Sequence, residues 1–289
     1  MPESPAPPGL LSVVGTPIGN LEDITLRALR ILREADTVVA EDTRHTRPLL
    51  THHGIEARLE SMHAHSSDAK LAKLVASLQA GAHLALVSDA GCPVLSDPGG
   101  RLVAAAREAG VRVESVPGPS ALTACLSVAG LRAESFRFVG FLPRAGSRRK
   151  RALSAIAEDE SASVLFESPR RLLATLRELH PLLGGRRLAV CRELTKLHEE
   201  VRRGTALELL EHFASGVRGE ITLLVEAGQG SRDQEAILEA ALEMAREALK
   251  QGRRLKDVAR ELASRSQLNG QDAYARVRAL RAEMRAALE

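Results

Sequence analysis

From residue 10 onward, short continuous apolar runs alternate with segments of helical spacing, and this alternation restricts the fold more than any other feature. The apolar runs are LLSVV, ADTVVA, AHLALVS and VRVESV, and the helical segments include ITLRALRILREA and SSDAKLAKLVASLQAG. Alternating strands and helices predict a parallel sheet, and continuous apolar strands indicate that both of its faces are covered. We therefore predict an α/β domain over residues 10–118.

A second series of strands follows the segment VPGPSAL. Its runs are FRFVGFL, ASVLFES, RRLAVCREL, EEVRRG and EITLLVE. We expect helices after Arg148 and after Ser168, because Ser168 followed by Pro169 is a helix N-terminal signature. This predicts a second α/β domain over residues 119–229. Residues 230–289 have helical spacing without a strand candidate and predict a helical appendage, whereas the proline-rich residues 1–9 predict a disordered tail.

Composition restricts the class of protein. Of the 289 residues, 44% are hydrophobic and 27% are charged, which is typical of a soluble globular chain. Cys92, Cys125 and Cys191 are isolated and odd in number, so we expect reduced thiols and a cytoplasmic location. The sequence shows neither the pattern of a signal peptide nor an apolar run long enough to span a membrane.

Arginine dominates the positive charge, whereas aromatic residues are scarce. The 40 basic residues are 34 arginines and six lysines, against five phenylalanines, one tyrosine and no tryptophan. The segment PRAGSRRKR, residues 143–151, carries five cations and is expected on a loop between a strand and a helix. Such a loop suits phosphate binding. The alternative is a solvated helix start, although positive charge there opposes the helix dipole.

Glycine and proline follow several of the predicted strands. In VVGTPIGN, Gly15 and Gly19 lack the Cβ atom that would hold a ligand away from the backbone. The spacing matches neither G-x-G-x-x-G nor a phosphate-binding loop with Lys-Ser or Lys-Thr. Strand ends in open α/β sheets face the ligand crevice, so these loops together indicate a binding site, although each alone is more typical of a turn.

Taken in chain order, the loop motifs resemble a known family. They are VGTPIGNLEDITLRAL, AEDTRHTRPLL, LVSDAGCPVLSDPG, VPGPSAL, GFLPR, FESPRRL, CRELTKLHEE and GEITLLVE. In sequence and spacing they resemble the ribosomal RNA small subunit methyltransferase I group of the tetrapyrrole methylase superfamily. The resemblance covers residues 10–229 and extends more loosely to the C-terminal region.

The resemblance implies a fold and an activity. The expected fold is two α/β domains of the tetrapyrrole methylase type with the cofactor in the interdomain cleft, plus a small C-terminal helical region, generally in a homodimer. The expected activity is transfer of a methyl group from S-adenosylmethionine to the ribose 2′-hydroxyl of a cytidine, by resemblance cytidine 1402, in 16S rRNA. The expected partner is that RNA, within the small ribosomal subunit.

The resemblance also implies which residues hold the cofactor. Residues 88–93 stand where the superfamily has its Gly-Asp-Pro cofactor motif, and Asp89 is expected either to accept hydrogen bonds from the cofactor or to lock its own loop. The expected cofactor-binding residues are Gly15, Pro17, Ser88, Asp89, Ala90, Gly91, Pro93, Pro117, Gly118, Ser120, Ala121, Leu142, Gly219 and Ile221.

A ribose hydroxyl is a poor nucleophile until its proton is removed, so a base near the methyl group is expected. The candidates are Asp23, Glu41, Asp42, His45, Glu193 and Lys196, of which Glu41, Asp42, Glu193 and Lys196 form the predicted catalytic set. A lysine whose pKa is lowered by burial could take the proton. Structural ion pairs explain the same groupings, and the sequence does not choose between the candidates.

Basic residues around the expected cleft form the predicted RNA contacts. They are Arg44, Arg144, Arg148, Arg149, Lys150, Arg151 and Arg170. No metal site is predicted, because His52, His53, His63 and His65 lack acidic or cysteine companions at ligand spacing. Two alternatives stay open at this point: a methyltransferase acting on a tetrapyrrole such as a precorrin, and an RNA-binding module that has lost catalysis.

Overall fold

The computed structural model of the chain describes residues 9–63, 66–94, 99–228, 231–266 and 268–286. Most of the predicted disordered tail, as well as His65, lies outside these residues. Gly9 is described, and it belongs to the folded structure: it is buried, and its N–H donates to the carbonyl of Leu78 at 3.1 Å.

The first half of the chain forms a five-stranded parallel sheet with the strand order β3-β2-β4-β1-β5. Its elements are β1 (Leu10–Val14), α1 (Leu26–Glu34), β2 (Thr37–Ala40), α2 (Thr43–His52), β3 (Leu59–Ser61), α3 (Asp68–Gln79), β4 (His83–Val87), α4 (Gly100–Glu108) and β5 (Arg112–Val116). The four strands and two helices read from the apolar pattern are confirmed. Helix α2 and the short edge strand β3 were not predicted.

Helices cover both faces of this sheet, as the continuous apolar strands predicted. Val38 and Ala40 of β2 point into a cluster with Leu32 of α1. Val39, between them, points to the opposite face and packs in a cluster with Leu78 of α3. Because neighbouring strand residues face opposite sides, a strand covered on both faces is mostly apolar at consecutive positions.

The second sheet also has five strands, in the order β6-β7-β10-β8-β9. Only β6 and β7 run parallel, whereas the other neighbouring pairs are antiparallel. Its elements are α5 (Ala121–Ala129), β6 (Phe136–Phe141), α6 (Gly146–Glu158), β7 (Ala162–Glu167), α7 (Pro169–Leu183), β8 (Leu188–Arg192), β9 (Glu200–Gly204), α8 (Ala206–His212) and β10 (Ile221–Val225). The five predicted strands are confirmed. Helix α6 begins at Gly146 rather than after Arg148, and α5 and α8 were not predicted.

A shared apolar cluster joins the two sheets. Cys125 of α5 packs on one face of the second sheet with Val164 of β7 and Leu224 of β10. Ile18, from the loop after β1, and Leu194, from the loop after β8, belong to the same cluster. The loop after β1 is therefore anchored on the second sheet, and loops from both halves of the chain meet at one place.

The last part of the chain forms three helices, as predicted. They are α9 (Ser231–Lys250), α10 (Leu255–Ser266) and α11 (Gly270–Ala286). They share an apolar cluster that includes Ala245, Val258, Leu262 and Val277. The strands of the two sheets fall on either side of residue 118, and domain boundaries at 118 and 229 stay a prediction. Within the described ranges, no helix has both the length and the apolar character needed to cross a membrane.

Candidate active site

The loops after β1 and β4 are joined by a small backbone bridge. The N–H of Thr16 donates to the carbonyl of Gly91 at 2.8 Å, and the N–H of Gly91 donates back to Thr16 at 3.1 Å. Gly91 has φ +77°, a conformation that favours glycine. The two strand ends therefore present one continuous wall toward the second sheet.

Gly15 and Gly19 of the VVGTPIGN motif make room for other protein atoms, which corrects the prediction that their missing Cβ atoms admit a ligand. A Cβ built on Gly15 would lie 2.7 Å from the Cα of Gly118, so the two loops pack backbone to backbone. A Cβ on Gly19 would lie 2.5 Å from Cγ of Lys196, from the loop after β8. Both glycines thus allow distant loops to approach each other closely.

A first cleft of about 470 Å³ opens between the two sheets. This volume falls within the range of small-molecule sites in proteins. Its lining residues come from both halves of the chain: Ile18, Glu41, Asp89, Ala90, Gly91, Cys92, Ser120, Ala121, Phe141, Phe166, Glu167, Ser168, Pro169, Cys191, Leu194, Gly219, Glu220, Ile221 and Thr222. We call this the donor cleft.

Phenylalanines form one wall of the donor cleft. The rings of Phe141 and Phe166 lie 5.6 Å apart, and Phe138 packs behind Phe166 at 5.0 Å. Phe141 is 57% exposed although it is a large apolar residue. This wall was not predicted, because only the scarcity of aromatic residues was taken into account and not their positions. The signal that was available is the position of Phe141 and Phe166 at the ends of two predicted strands.

Beneath this wall, Glu167 is held in a buried hydrogen-bond network. One carboxylate oxygen accepts the N–H of Ser168 at 2.9 Å and lies 3.2 Å from Nε of Arg171. The other accepts the hydroxyl of Thr175 at 2.6 Å. Because its charge is compensated by these donors, Glu167 can remain buried at the end of β7 and fix the start of α7.

Arg149 belongs to the same network, which corrects its expected position on a phosphate-binding loop. It lies in α6 and is 6% exposed. Its guanidinium donates to Thr175 at 2.9 Å, to Glu178 at 2.7 Å and to the carbonyl of Pro143 at 3.2 Å. Arg149 therefore links α6 to α7 inside the protein.

The other predicted RNA contacts are exposed. Arg148, Lys150 and Arg151 also lie in the first turns of α6 rather than on a loop, and their side chains face solvent. Arg144 is exposed in the segment between β6 and α6, and Arg170 is exposed immediately after Pro169 of the donor cleft. The basic surface thus surrounds the segments that follow β6 and β7.

A second cleft of about 410 Å³ adjoins the first. It is lined by Thr16, Pro17, Ile18, Gly19, Leu21, Arg44, His45, Thr46, Pro48, Leu49, Ser88, Asp89, Ala90, Lys196 and Glu220. Ile18, Asp89, Ala90 and Glu220 line both clefts. We call this the acceptor cleft. The two clefts share a wall, so ligands in them would meet at that wall.

Lys196 is held by two carboxylates, which corrects the prediction of a lysine whose pKa is lowered by burial. Its Nζ donates to Glu193 at 3.0 Å and to Glu220 at 2.9 Å. Burial disfavours the charged amine, but the hydrogen bonds to Glu220 and Glu193 outweigh burial and raise the pKa of Lys196. Lys196 is therefore a cation at the edge of the acceptor cleft and a poor base.

The loop that carries Lys196 is held in an uncommon backbone conformation. Glu193 and Thr195 have φ angles of +50° and +67°, which non-glycine residues rarely adopt. The hydroxyl of Thr195 accepts the N–H of Asn20 at 3.2 Å, so the loop is tied to the one after β1. The N–H of Glu220, together with Lys196, lowers the pKa of Glu193. Strain of this kind is typical of functional loops.

Asp42 caps helix α2 and pairs with Arg44. Its carboxylate accepts the N–H of Arg44 at 2.9 Å and the Nε of the same residue at 3.0 Å. These contacts, the side-chain hydrogen bond first, hold the pKa of Asp42 well below its ordinary value. Asp42 is thus a helix cap and a weak base, a role that its position in the polar string AEDTRHT did not reveal.

His45 lies on the same helix and contacts Asp89 across the acceptor cleft. Nδ1 of His45 is 2.8 Å from one carboxylate oxygen of Asp89. The other oxygen of Asp89 accepts the N–H of Asp42 at 3.1 Å. The hydrogen bond and the charge of Asp89 raise the pKa of His45. Asp89 is therefore fixed by two contacts at the wall between the clefts.

The predicted catalytic and cofactor-binding residues, together with Arg44, fall into three groups. The donor cleft contains Glu41, Asp89, Ala90, Gly91, Ser120, Ala121, Gly219 and Ile221, and the acceptor cleft contains Pro17, Arg44, Ser88 and Lys196 together with Asp89 and Ala90. Gly15, Asp42, Pro93, Pro117, Gly118, Leu142 and Glu193 line neither. Leu142 is buried in the core, and its carbonyl accepts from Arg171 at 2.8 Å.

Within the described residues, no group of three or more histidine, cysteine, aspartate or glutamate side chains is arranged to hold a metal ion.

Known proteins resemble this chain in sequence. The family model described as Tetrapyrrole (Corrin/Porphyrin) Methylases matches residues 10–210. A protein of Thermotoga maritima named ribosomal RNA small subunit methyltransferase I is 46% identical over 218 residues, which are 75% of this chain and 98% of that protein. The protein of the same name from Synechocystis is 42% identical over 269 residues, 92% of this chain and 96% of that protein.

A solved structure has a similar fold. The uroporphyrin-III-C-methyltransferase from Thermus thermophilus superposes with a TM-score of 0.53 at 26% sequence identity. The match covers 76% of this chain and 93% of that protein.

Proposed function

This chain belongs to the ribosomal RNA small subunit methyltransferase I family of the tetrapyrrole methylases, and we propose that it methylates a ribose 2′-hydroxyl of ribosomal RNA with S-adenosylmethionine as donor. Membership makes it a methyltransferase. We propose, beyond membership, that the methyl group is placed on the ribose and that the two clefts hold the cofactor and the RNA.

The donor cleft suits S-adenosylmethionine. Bound there, the cofactor supplies a methyl group on a positively charged sulfur. The aromatic wall of Phe141 and Phe166 suits the flat adenine ring. Asp89 and Ser120 provide oxygens for hydroxyl and amino groups, and the backbone around Gly219 provides further hydrogen-bonding groups without a side chain in the way. The donor cleft thus offers an apolar wall and a polar wall, which match the adenine ring and the polar groups of the cofactor.

The shared wall between the clefts is the observation that carries the proposal. Methyl transfer requires the acceptor oxygen to approach the methyl carbon in line with the departing sulfur, so holding both ligands in one geometry supplies much of the rate. Asp89 and Ala90 line both cavities, as do Ile18 and Glu220 from other loops. A donor in the first cleft and a ribose in the second would meet at these four residues.

Exposed cations around the clefts suit a polyanionic acceptor. Arg44 lines the acceptor cleft, and Arg170 directly follows a residue of the donor cleft. Arg148 and Arg151 are exposed at the start of α6, where positive charge opposes the helix dipole and gains from a bound phosphate. A small tetrapyrrole would not require basic residues over so wide a surface.

We also propose the finer points that the family implies. The acceptor is a cytidine of 16S rRNA, cytidine 1402 by resemblance, within the small ribosomal subunit. The enzyme acts as a homodimer in the cytoplasm. These points rest on the family and on no contact within this chain.

One labelling experiment tests the proposal. The purified protein is incubated with S-adenosylmethionine carrying a tritiated methyl group and with 30S subunits, naked 16S rRNA or a precorrin-type tetrapyrrole in separate reactions. The RNA is then digested with alkali and nuclease. We expect label in one alkali-resistant dinucleotide, because a 2′-O-methyl group blocks cleavage of the neighbouring phosphodiester.

The other outcomes separate the alternatives. Label in the tetrapyrrole would replace the proposal with a small-molecule methyltransferase. Cofactor binding by calorimetry without transfer to any acceptor would favour an inactive RNA-binding module. Label in RNA that alkali releases as mononucleotides would place the methyl group on a base and contradict the ribose assignment.

A further inference from the structure

His45 presents one ring nitrogen to a fixed carboxylate and lies in the acceptor cleft. Nδ1 is 2.8 Å from Asp89, whose second oxygen is occupied by the N–H of Asp42 at 3.1 Å. A carboxylate only accepts hydrogen bonds, so in the neutral ring it selects the tautomer with hydrogen on Nδ1. The lone pair is then on Nε2, the nitrogen that Asp89 leaves available.

We propose that His45, oriented by Asp89, is the general base that removes the proton from the ribose 2′-hydroxyl. This inference rests on the proposed function and adds the residue that activates the acceptor. Asp89 belongs to the wall shared by both clefts, and His45 lines the acceptor cleft. A hydroxyl that reaches this wall to meet the methyl group comes to the side of the cleft on which His45 lies.

The step balances within the groups named. The ribose oxygen forms a bond to the methyl carbon while the bond between that carbon and sulfur breaks, and the electron pair of the broken bond stays on sulfur. The hydroxyl proton moves to Nε2 of His45. The side chain of His45 is 64% exposed, so the proton can pass to water before the next turnover.

Three other candidate bases near the acceptor cleft are less suited to this role. Asp42 is engaged by Arg44 and has a lowered pKa. Glu193 accepts the N–H of Glu220 and also has a lowered pKa. Lys196 is held as a cation between two carboxylates. A base is more effective when its pKa lies near the working pH, which is the ordinary range of histidine.

The charges around His45 determine how the reaction depends on pH. Asp89 and Asp42 favour the protonated ring, whereas burial and Arg44 disfavour it, and the net effect is a raised pKa. Lys196 and Glu220, from the second sheet, line the same cleft. Since only the neutral ring can take the proton, the rate is expected to rise with pH through the raised pKa of His45 and then to level off.

Replacement of His45 tests the proposal directly. For the variant His45→Gln we expect a fall in kcat of roughly 100-fold or more, as is usual on loss of a general base, with an unchanged dissociation constant for S-adenosylmethionine by calorimetry. In His45→Ala, added imidazole should restore part of the rate, because the ring position is open to solvent. His180→Gln, an exposed histidine of α7 outside both clefts, is the matched control.

Replacement of Asp89 tests its role as a positioning residue. In Asp89→Asn we expect the pKa of His45, followed by NMR in the protein without ligands, to fall toward that of a free histidine. The acidic limb of the rate against pH should move to lower pH by the same amount, and the plateau rate should fall. A residue with only a structural role would not shift the two titrations together.

Two results would overturn the inference. One is a kcat of His45→Gln within twofold of wild type with the same pH profile. The other is a His45 titration that does not respond to Asp89→Asn. Failure of the proposed function is a separate result, because it would appear as the absence of ribose methylation by the wild-type protein, whereas the NMR titration requires no RNA.

Discussion

Gly15 and Gly118 touch backbone to backbone: a Cβ on Gly118 would lie 2.7 Å from the carbonyl carbon of Gly15. This contact joins the loop after β1 to the segment that leads into α5. Through the N–H of Thr16 and the carbonyl of Gly91, it also extends to the loop after β4. Three loops are therefore connected through this pair of glycines and the neighbouring backbone bridge.

The variant Gly15→Ala should destabilise the protein by about 1–3 kcal/mol, because the added methyl group overlaps backbone atoms that cannot rotate away. Thermal or denaturant unfolding measures this. Gly185→Ala is the control, since a Cβ there meets no atom within 4 Å. Equal stability of the two variants would mean that the loops can separate without cost.

Arg149 and its neighbours on α6 should behave differently. In Arg149→Ala, the oxygens of Thr175 and Glu178 lose the guanidinium that donates to them, and we expect the free energy of unfolding to fall by about 1–3 kcal/mol. Arg148→Ala is the matched control in the same helix, because its side chain is exposed, and surface changes usually stay within about 0.5 kcal/mol. Similar destabilisation of both variants would contradict the division between buried and exposed arginines.

The exposed arginines of α6 should matter for RNA binding although they contribute little to stability. The double variant Arg148→Ala and Arg151→Ala should weaken binding of 16S rRNA and reduce the dependence of log Kd on log salt concentration by about one unit for each phosphate that the two arginines neutralise. Filter binding at several salt concentrations measures the slope. An unchanged slope would show that the start of α6 does not bind phosphates.

Phe141→Ala should weaken binding of S-adenosylmethionine roughly tenfold, because an aromatic contact with the adenine ring contributes about 1 kcal/mol beyond its buried area. Phe136→Ala provides a close control. Phe136 lies on the same strand and is 44% exposed, but it does not line the donor cleft. Calorimetry measures the affinity of both variants for S-adenosylmethionine. An equal fall in Phe141→Ala and Phe136→Ala would mean that the adenine does not contact Phe141.

Lys196 should keep its stabilising effect up to high pH. Its raised pKa means that its contribution to stability is fully present below the ordinary value of 10.5 and is lost as the pH rises through the raised pKa. Between pH 6 and 9 the gap in Tm between wild type and Lys196→Met should therefore stay constant. A gap that narrows in this range would restore Lys196 as a candidate base.

The strands were predictable from the sequence because burial on both faces leaves a continuous apolar run. Helix α2 was missed because its residues TRHTRP are polar and contain Pro48, which reads as a loop. Its N-terminus depends on Asp42, whose side chain accepts the N–H of Arg44. A capping contact of this kind favours a helix over a loop, and residue type alone does not show whether the contact forms.

The sequence singled out several of the loops that line the two clefts, but it did not give the positions of individual side chains in them. Arg149 could have been separated from its neighbours by helical phase, because Leu153 and Ile156 lie four and seven positions later on the same buried face. The contact between Gly15 and Gly118 joins residues far apart in sequence, so no local pattern indicates it. The pairing of His45 with Asp89 has the same origin: it requires α2 and the loop after β4 to be adjacent.

Asp89 and Ala90 lie at the border that the two cavities share. Two molecules bound side by side in these cavities would both contact this pair of residues, so occupancy of one cavity alters the surface that the other presents. Saturation curves for RNA should therefore shift with the concentration of the methyl donor, and a substitution at this border should change both Michaelis constants at once.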